Sequence, residues 1–485
     1  MAAGVKADVV VAGLGVVLIW SALALAALTS AVLGIGNDHK VVSSDKSGYV
    51  APFVLGKLSK FCLSLLYLPV IRYPGLDLWV AGGIMPFERR LKFHRGMAAV
   101  FLAVASLHGV WMALKSKFSH FGLGGVSLSG TVALVLFLAV GLGSLPWIRR
   151  HHFNSFYALH MLQFPAVIAA LVHVPGIVIY LAVSGGVWLA LAFARMVRAW
   201  RRRRRATLVP LPGEATELSL VWPRQWPPPH PGSYAFLRIG AIASTEWHPF
   251  SVADYDRHCG HTRFIVKAVH HHHHRSLSAG SARLSWTARL REMAEAQSRP
   301  TVWIDGAYGA LTVPANAVAK AGHIVLVSGG VGVTPMANLL QHVADGEFPN
   351  LRSVLFVWTS RLMADVCTPW LGNVLAHATS QLGERLCISL YQTSGKKELP
   401  SSSPPSSNSS SSSSSSSSAA IASYEWSLGR PDLDAMLANV HTANDADHSP
   451  LSVFVAVCGP PSLCNVVASA ATRRGFAVHV ETFVF

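Results

Sequence analysis

Charge is scarce in this chain. Asp, Glu, Lys and Arg make up 13% of its 485 residues, against 51% hydrophobic residues and a mean hydropathy of +0.39. That balance excludes a disordered polar chain and points to a membrane protein. Acidic residues are scarcer than basic ones, 24 against 40, for a formal net charge of +16. The cations nevertheless argue against a nucleic-acid interface, because they sit beside apolar segments: Arg89, Arg90, Lys92 and Arg95, then Arg149 and Arg150, then Arg198 and the arginines at 201–205. Membrane proteins place cations there on their cytosolic side. The 6 cysteines form no CxxC pair, which leaves no closely spaced thiolate metal or redox motif. Five of them lie in the less apolar half, as expected of reduced thiols facing the cytosol. The apolar run at 9–33 has no basic flank before it and is longer than a signal-peptide core, so it is expected to be a retained anchor.

What is present in the first 200 residues is a series of apolar runs. A spanning helix needs about 20 mainly apolar residues, and six stretches qualify: 9–33, 50–71, 91–114, 127–147, 153–174 and 177–197. Six spans return the chain to its starting side, and the basic loops after the second, fourth and sixth then all face the cytosol. Four histidines interrupt the third and fifth spans: His94 and His108, His160 and His173. Ionisable rings at membrane depth are costly and mark function. Both spans run outward, so the spacings of 14 and 13 residues raise the second histidine by about 21 and 20 Å. Two pairs at matched depths suit bis-imidazole ligation of two stacked haem irons. Thirteen residues turn an ideal helix by about 220°, so the fifth span is expected to be kinked or rewound, with Pro165 as the cause.

After residue 205 the pattern changes to short β-like runs at 216–221, 234–239, 264–269 and 301–304, which suggest a small antiparallel barrel. Two turns are expected within it: Glu246-Trp247-His248-Pro249-Phe250-Ser251, suited to a planar anionic ligand, and Asp305-Gly306-Ala307-Tyr308-Gly309. From Ala321 the chain reads as α/β. A strand at 324–327 meets Ser328-Gly329-Gly330-Val331-Gly332-Val333-Thr334-Pro335 and then a helix at 336–343. A glycine turn there lets backbone amides approach a phosphate or dinucleotide at the helix start. Strands at 354–358, 454–457 and 478–485 complete the pattern, with Arg361 placed to meet a 2′-phosphate. The serine tract at 401–418 buries nothing and is expected to be a disordered insert. The five histidines at 270–274 are expected to form an exposed loop.

In combination and order, these motifs resemble the ferric reductase and NADPH oxidase superfamily of membrane flavocytochromes b. The motifs are His-x13-His and His-x12-His, His-Pro-Phe-Ser, Asp-Gly-x-Tyr-Gly, Gly-Gly-x-Gly-x-Thr-Pro and Cys-Gly-Pro-Pro. The resemblance implies a di-haem transmembrane domain (1–200) and a ferredoxin-NADP reductase-like module. That module has a β-barrel FAD domain (206–318) and an α/β NADPH domain (319–485) with its insert at 397–420. It implies two haem b, held by His94 with His160 and by His108 with His173. FAD would meet Tyr234 and Pro249, with His248 near its phosphates, Phe250 against the isoalloxazine and Ser251 near its reactive edge, and with Trp286 and Thr287 on its phosphate side. NADPH would meet Gly329, Gly330, Gly332, Thr334, Pro335, Arg361 and Arg430, with Cys458 and Gly459 near the nicotinamide and Phe485 over the flavin face. Ser251, Cys458 and Phe485 would lie nearest the hydride path.

The resemblance further implies electron passage from cytosolic NADPH to an extracytosolic acceptor. Chelated Fe³⁺, with Cu²⁺ as a second metal, is the expected acceptor, feeding a ferrous importer from the plasma membrane or an internal one. Superoxide production from O₂ is the alternative. Oxygen-reducing members carry a further histidine one turn after the outer ligand, where this chain has Met112, and no calcium-binding loop precedes the membrane half. A histidine-lined proton channel or a subunit of a larger complex is the alternative without haem. Self-association stays open.

Overall fold

The computed structural model describes residues 50–72, 87–115, 126–222, 226, 228–257, 259–269, 285–309, 311, 321–361, 369–394, 424–440 and 452–481. The span expected at 9–33, the histidines at 270–274, the serine tract and Phe485 lie outside them. The chain divides into two compact units, the first ending at Met196 and the second running on from Val197.

The first unit is helical: α1 Val50–Leu65, α2 Phe87–Lys115, α3 Val126–Gly143, α4 Pro146–His151, α5 Phe153–His160, α6 Gln163–His173 and α7 Ile177–Arg201, which runs on into the second. Three segments are long and apolar enough to cross a membrane, Arg90–Leu114, Ser155–His173 and Ile177–Arg201; Leu128–Gly143 is apolar but shorter. A small core of Cys62, Leu63, Phe101, Phe137, Ala166 and Ala170 joins α1, α2, α3 and α6. The outward faces stay apolar, with Leu107, Val135, Ile168, Ile179 and Phe193 exposed, as lipid-facing helices require.

The expected kink is a break. α5 ends at His160, and α6 resumes at Gln163 after a two-residue turn. Pro165 brings no N–H to the Met161 carbonyl, and its ring would crowd that oxygen, four residues back. Met161 O accepts instead from Phe164 N at 3.2 Å, and Leu159 O from Leu162 N at 3.1 Å, so the chain tightens through the break.

The second unit begins with two four-stranded antiparallel sheets, ordered β1-β8-β4-β5 and β2-β3-β7-β6. They comprise β1 Arg203–Arg205, β2 Thr207–Pro210, β3 Ala215–Val221, β4 Tyr234–Ile239, β5 His248–Ser251, β6 Asp254–Tyr255, β7 His261–Lys267 and β8 Thr301–Tyr308, with α8 Trp286–Glu295 packed alongside. The barrel core holds Leu218, Leu237, Ile239, Phe264, Leu290 and Ile304, all fully buried, each contributing about 1.5–3 kcal/mol by leaving water. Three details depart from expectation. Arg203–Arg205, expected as a juxtamembrane cluster, forms an edge strand on β8. His248–Ser251 is an edge strand rather than a turn; its proline is tolerated because an edge strand need not donate on both sides. The Asp-Gly-x-Tyr segment lies inside β8, where a bulge opposite Tyr234/Ala235 absorbs one residue.

A six-stranded parallel sheet follows, ordered β12-β11-β10-β9-β13-β14. Its strands are β9 His323–Gly329, β10 Ser353–Ser360, β11 Leu386–Gln392, β12 Trp426–Leu428, β13 Val453–Cys458 and β14 Ala477–Glu481. Helices α9 Val333–Ala344, α10 Pro369–Leu382, α11 Leu433–Val440 and α12 Pro461–Arg473 connect them. β9 alternates, sending Ile324 and Leu326 into the core under α9 and α10, and Val325 and Val327 into the core under α11 and α12. Both faces are thus covered, as a parallel sheet demands.

Candidate functional site

In the helical unit, α2 and α5 bring His94 and His160 together, their ring centroids 6.4 Å apart. His94 Nδ1 lies 2.9 Å from the Leu66 carbonyl, which accepts its proton. Ser144 Oγ donates to the Val140 carbonyl at 2.7 Å, leaving its lone pairs to accept from His160 Nδ1 at 3.3 Å. Both rings therefore keep Nε2 free. Metal–imidazole bonds of about 2 Å on each side, added to two ring radii, give a centroid separation of about 6 Å, so the pair fits one shared iron. His108 and His173 each lie against a glycine: a Cβ at Gly56 would stand 3.0 Å from His108 Cε1, and one at Gly130 2.8 Å from His173 Cε1.

In the barrel, the pairing of β4 with β5 and β8 sorts the flavin candidates by face. Tyr234 is in register with Ser251 on one side and Tyr308 on the other, so these three form a row across the sheet. The Tyr308 hydroxyl donates to Asp305 Oδ1 at 2.6 Å. Side chains alternate along a strand, so His248 and Phe250 point the other way, to Trp286, with ring centroids 4.7 and 5.6 Å away. Trp286 opens α8, capped by Ser285, whose Oγ accepts from Ala288 N at 3.1 Å. Thr287 Oγ1 accepts from Val269 N at 3.0 Å, tying the helix start to the strand end. His248 Nε2 lies 3.2 Å from Glu246 Oε2. Burial holds the His248 ring below the ordinary imidazole range, against the pull of that carboxylate. The arrangement supplies an aromatic slot, a polar row and a helix start, which suits a planar, phosphate-bearing cofactor.

In the parallel sheet, β9 is the strand from which the connections run both ways, to β10 on one side and β13 on the other. Ligands of such sheets bind at the carboxyl ends beside that switch, and the glycine turn lies there. Gly330 takes φ +56°, a left-handed conformation that favours glycine. Gly332 packs on the β13 end so closely that a Cβ would stand 2.5 Å from the Cys458 carbonyl oxygen. Thr334 Oγ1 donates to Val331 O at 2.9 Å, and Pro335 lies buried within the first turn of α9. The helix starts at Val333, earlier than the sequence suggests, directly behind a single 3₁₀ turn. Arg361 and Arg430 are exposed just past β10 and β12, at the same edge. Cys458 is fully buried, and burial, with Glu481 and Cys464 near it, pushes its thiol far up. Gly459 follows it against Gly329.

Three contributors escape sequence reasoning. Trp358 donates its indole N–H to the Gly330 carbonyl at 3.1 Å and so pins the glycine turn; an apolar strand end gives no hint of this. Ser144 lies at a span end, fourteen residues from Gly130, where hydroxyls are unremarked. The Leu66 carbonyl has no side-chain signal at all.

Three family models match in chain order. Residues 55–171 match the ferric reductase like transmembrane component, 200–312 an FAD-binding domain and 322–472 the ferric reductase NAD binding domain. The chain is similar to ferric reduction oxidase 7, chloroplastic, of Arabidopsis thaliana, 26% identical over 62% of this chain and 42% of that protein. It is also similar to NADPH oxidase 5 of Homo sapiens, 23% identical over 84% of this chain and 61% of that protein. The chain thus spans about half the length of these curated relatives. A solved ferredoxin NADP+ reductase from Neisseria gonorrhoeae with bound FAD and NADP aligns at 12% identity and a TM-score of 0.37, over 58% of this chain and 99% of that one. With its transmembrane, FAD-binding and NAD-binding parts matched in that order, the chain belongs to the ferric reductase and NADPH oxidase family.

Proposed function

We infer that the chain is a transmembrane NADPH-dependent ferric-chelate reductase, carrying electrons from the cytosol through FAD and two b haems to Fe³⁺ outside. The paired His94 and His160, each anchored through Nδ1, are the observation that carries the reading. When bound, the flavin supplies the exchange of a hydride for single electrons and the haems a relay across the bilayer. The chain's work is positioning. Gly329, Gly330 and Gly332, with Thr334 and Pro335, would seat the pyrophosphate, and Arg361 and Arg430 the 2′-phosphate. Ser251 and Tyr234 would face the flavin ring, and His248, Trp286 and Thr287 its phosphate side; Phe250, stacked on Trp286 across the strand from Ser251, would lie with them rather than against the isoalloxazine. The buried Cys458 and Gly459 would floor the nicotinamide pocket, and Phe485 would cover the flavin. His108 and His173 would hold the outer haem.

Six spans, with the basic clusters and both termini in the cytosol, fit this direction of flow. The domains would run 1–200, 206–318 and 319–485, and the arginine strand Arg203–Arg205 would extend the middle one slightly. The plasma membrane is the proposed site, with a ferrous transporter as partner.

Superoxide production is the second reading, favoured by the NADPH oxidase relative, which matches the larger share of the chain. Met112, one turn beyond His108, favours the metal acceptor, since it offers no proton or second imidazole there. Whole cells expressing the chain are expected to reduce an external ferric chelate equally with and without superoxide dismutase. Loss of the ferrous signal on adding dismutase would assign oxygen as the direct acceptor and sink the first reading.

A further inference from the structure

Each histidine-bearing segment is backed by one helix that carries none of the four histidines. α1 backs α2. Its Gly56 lies against the His108 ring, and the Leu66 carbonyl, just past its end, accepts from His94. α3 backs α5 and α6 in the same way. Gly130 lies against the His173 ring, where a Cβ would stand 2.8, 2.9 and 3.0 Å from Cε1, Nδ1 and Nε2. Ser144, just past the other end of α3, accepts from His160 at 3.3 Å. Each backing helix thus offers a missing side chain at one depth and a hydrogen-bond acceptor at the other.

Other glycines of this unit differ. Gly96, Gly185 and Gly186 have nothing within 4 Å of an added Cβ, while Gly109 and Gly141 would meet only leucine side chains. The close approach to imidazole is specific to Gly56 and Gly130 among the described residues.

We propose that α1 and α3 are dedicated supports of the histidine ladder: Gly56 and Gly130 are notches that seat His108 and His173, and Ser144 orients His160. All are positioning residues, and the assignment rests on the haem reading above. An added methyl at either glycine displaces the imidazole it faces and therefore disturbs the outer haem alone. An acceptor on Nδ1–H fixes which nitrogen meets iron and makes the ring more basic, which favours the oxidised metal. Ser144→Ala therefore raises the potential of the inner haem alone.

The test uses the purified full chain and measures haem per protein, FAD per protein and the midpoint potential of each haem. Gly56→Ala and Gly130→Ala are expected to halve the Soret absorbance per protein or to shift one midpoint, with FAD content unchanged. Gly185→Ala, and Gly141→Ala as a control for tight packing on leucine, are expected to match the wild type. Ser144→Ala is expected to keep both haems and raise the other midpoint, and Ser144→Thr to restore it.

Full haem loading with both midpoints at their wild-type values in both notch variants would overturn the assignment. So would loss of both haems in Gly130→Ala, equal damage from Gly141→Ala, or Ser144→Ala moving the same haem as Gly130→Ala. A wild-type protein without a Soret band sinks the haem reading itself, a distinguishable failure.

Discussion

Trp358 shows how far one side chain reaches. It lies near the end of β10, fully buried, packs edge-on against Trp426 at 5.3 Å and holds the Gly330 carbonyl through its indole N–H. Gly330 can adopt its left-handed turn without a Cβ, but nothing in glycine itself keeps the turn in one conformation. Trp358→Phe retains most of the ring and removes the donor. A hydrogen bond of this kind is worth about 0.5–1.5 kcal/mol, so the KM for NADPH should rise about two- to tenfold, with kcat for a soluble dye acceptor nearly unchanged. Steady-state kinetics of the purified flavoprotein measure both. An unchanged KM would separate the indole from nucleotide binding.

At the scale of elements, the break between α5 and α6 carries the most consequence. A continuous helix would point His160 and His173 about 220° apart. Pro165→Ala restores an N–H for the Met161 carbonyl and favours that continuous path. Haem per protein should fall while FAD per protein holds; full haem loading of the variant would mean that packing, not proline, sets the break. A second element-level contact joins the barrel to the parallel sheet. Glu347, after α9, takes His342 Nδ1 at 3.0 Å and also Arg257. Burial opposes ionisation of Glu347, but hydrogen bonds and charge from His342 and Arg257 outweigh it and hold its carboxyl below the ordinary range. A depressed carboxyl stabilises the fold above its unfolded pKa, and that contribution fades as pH falls through the lower native value. Glu347→Gln should therefore lower the unfolding midpoint by about 2 °C at pH 7. The gap should close as pH drops below the ordinary carboxylate range; a gap independent of pH would assign the loss to packing.

Elements of this kind differ in how they appear in the sequence. Hydropathy and ring spacing mark α2, α5, α6 and their four histidines, because cost in lipid leaves few other reasons for imidazole there. The glycine turn was equally legible, since strand, glycines and helix follow one another within a dozen residues. The strand His248–Ser251 was not, because proline reads locally as a turn and only its pairing with Tyr234–Ile239 makes it an edge. Nor was the separation of His248 and Phe250 from Ser251, which follows from strand alternation once the segment is known to be extended. Contacts made through backbone, such as Leu66 O to His94, leave no trace in residue identity.

For the whole molecule, the cysteines report orientation across the membrane. Cys259 and Cys387 are exposed, whereas Cys62, Cys458 and Cys464 are buried. If the barrel and parallel sheet lie on the cytosolic side, as proposed, a membrane-impermeant maleimide should label Cys259 and Cys387 only after cells are permeabilised, as peptide mapping would show. Labelling of intact cells would invert the topology. The parallel sheet carries one further consequence. Gly332 rests on the Cys458 carbonyl and Gly330 is held by Trp358, so one turn is fastened to the ends of two strands, β13 and β10. A nucleotide seated there as proposed would meet a surface set before it arrives, which puts the stiffness where the hydride must be aimed.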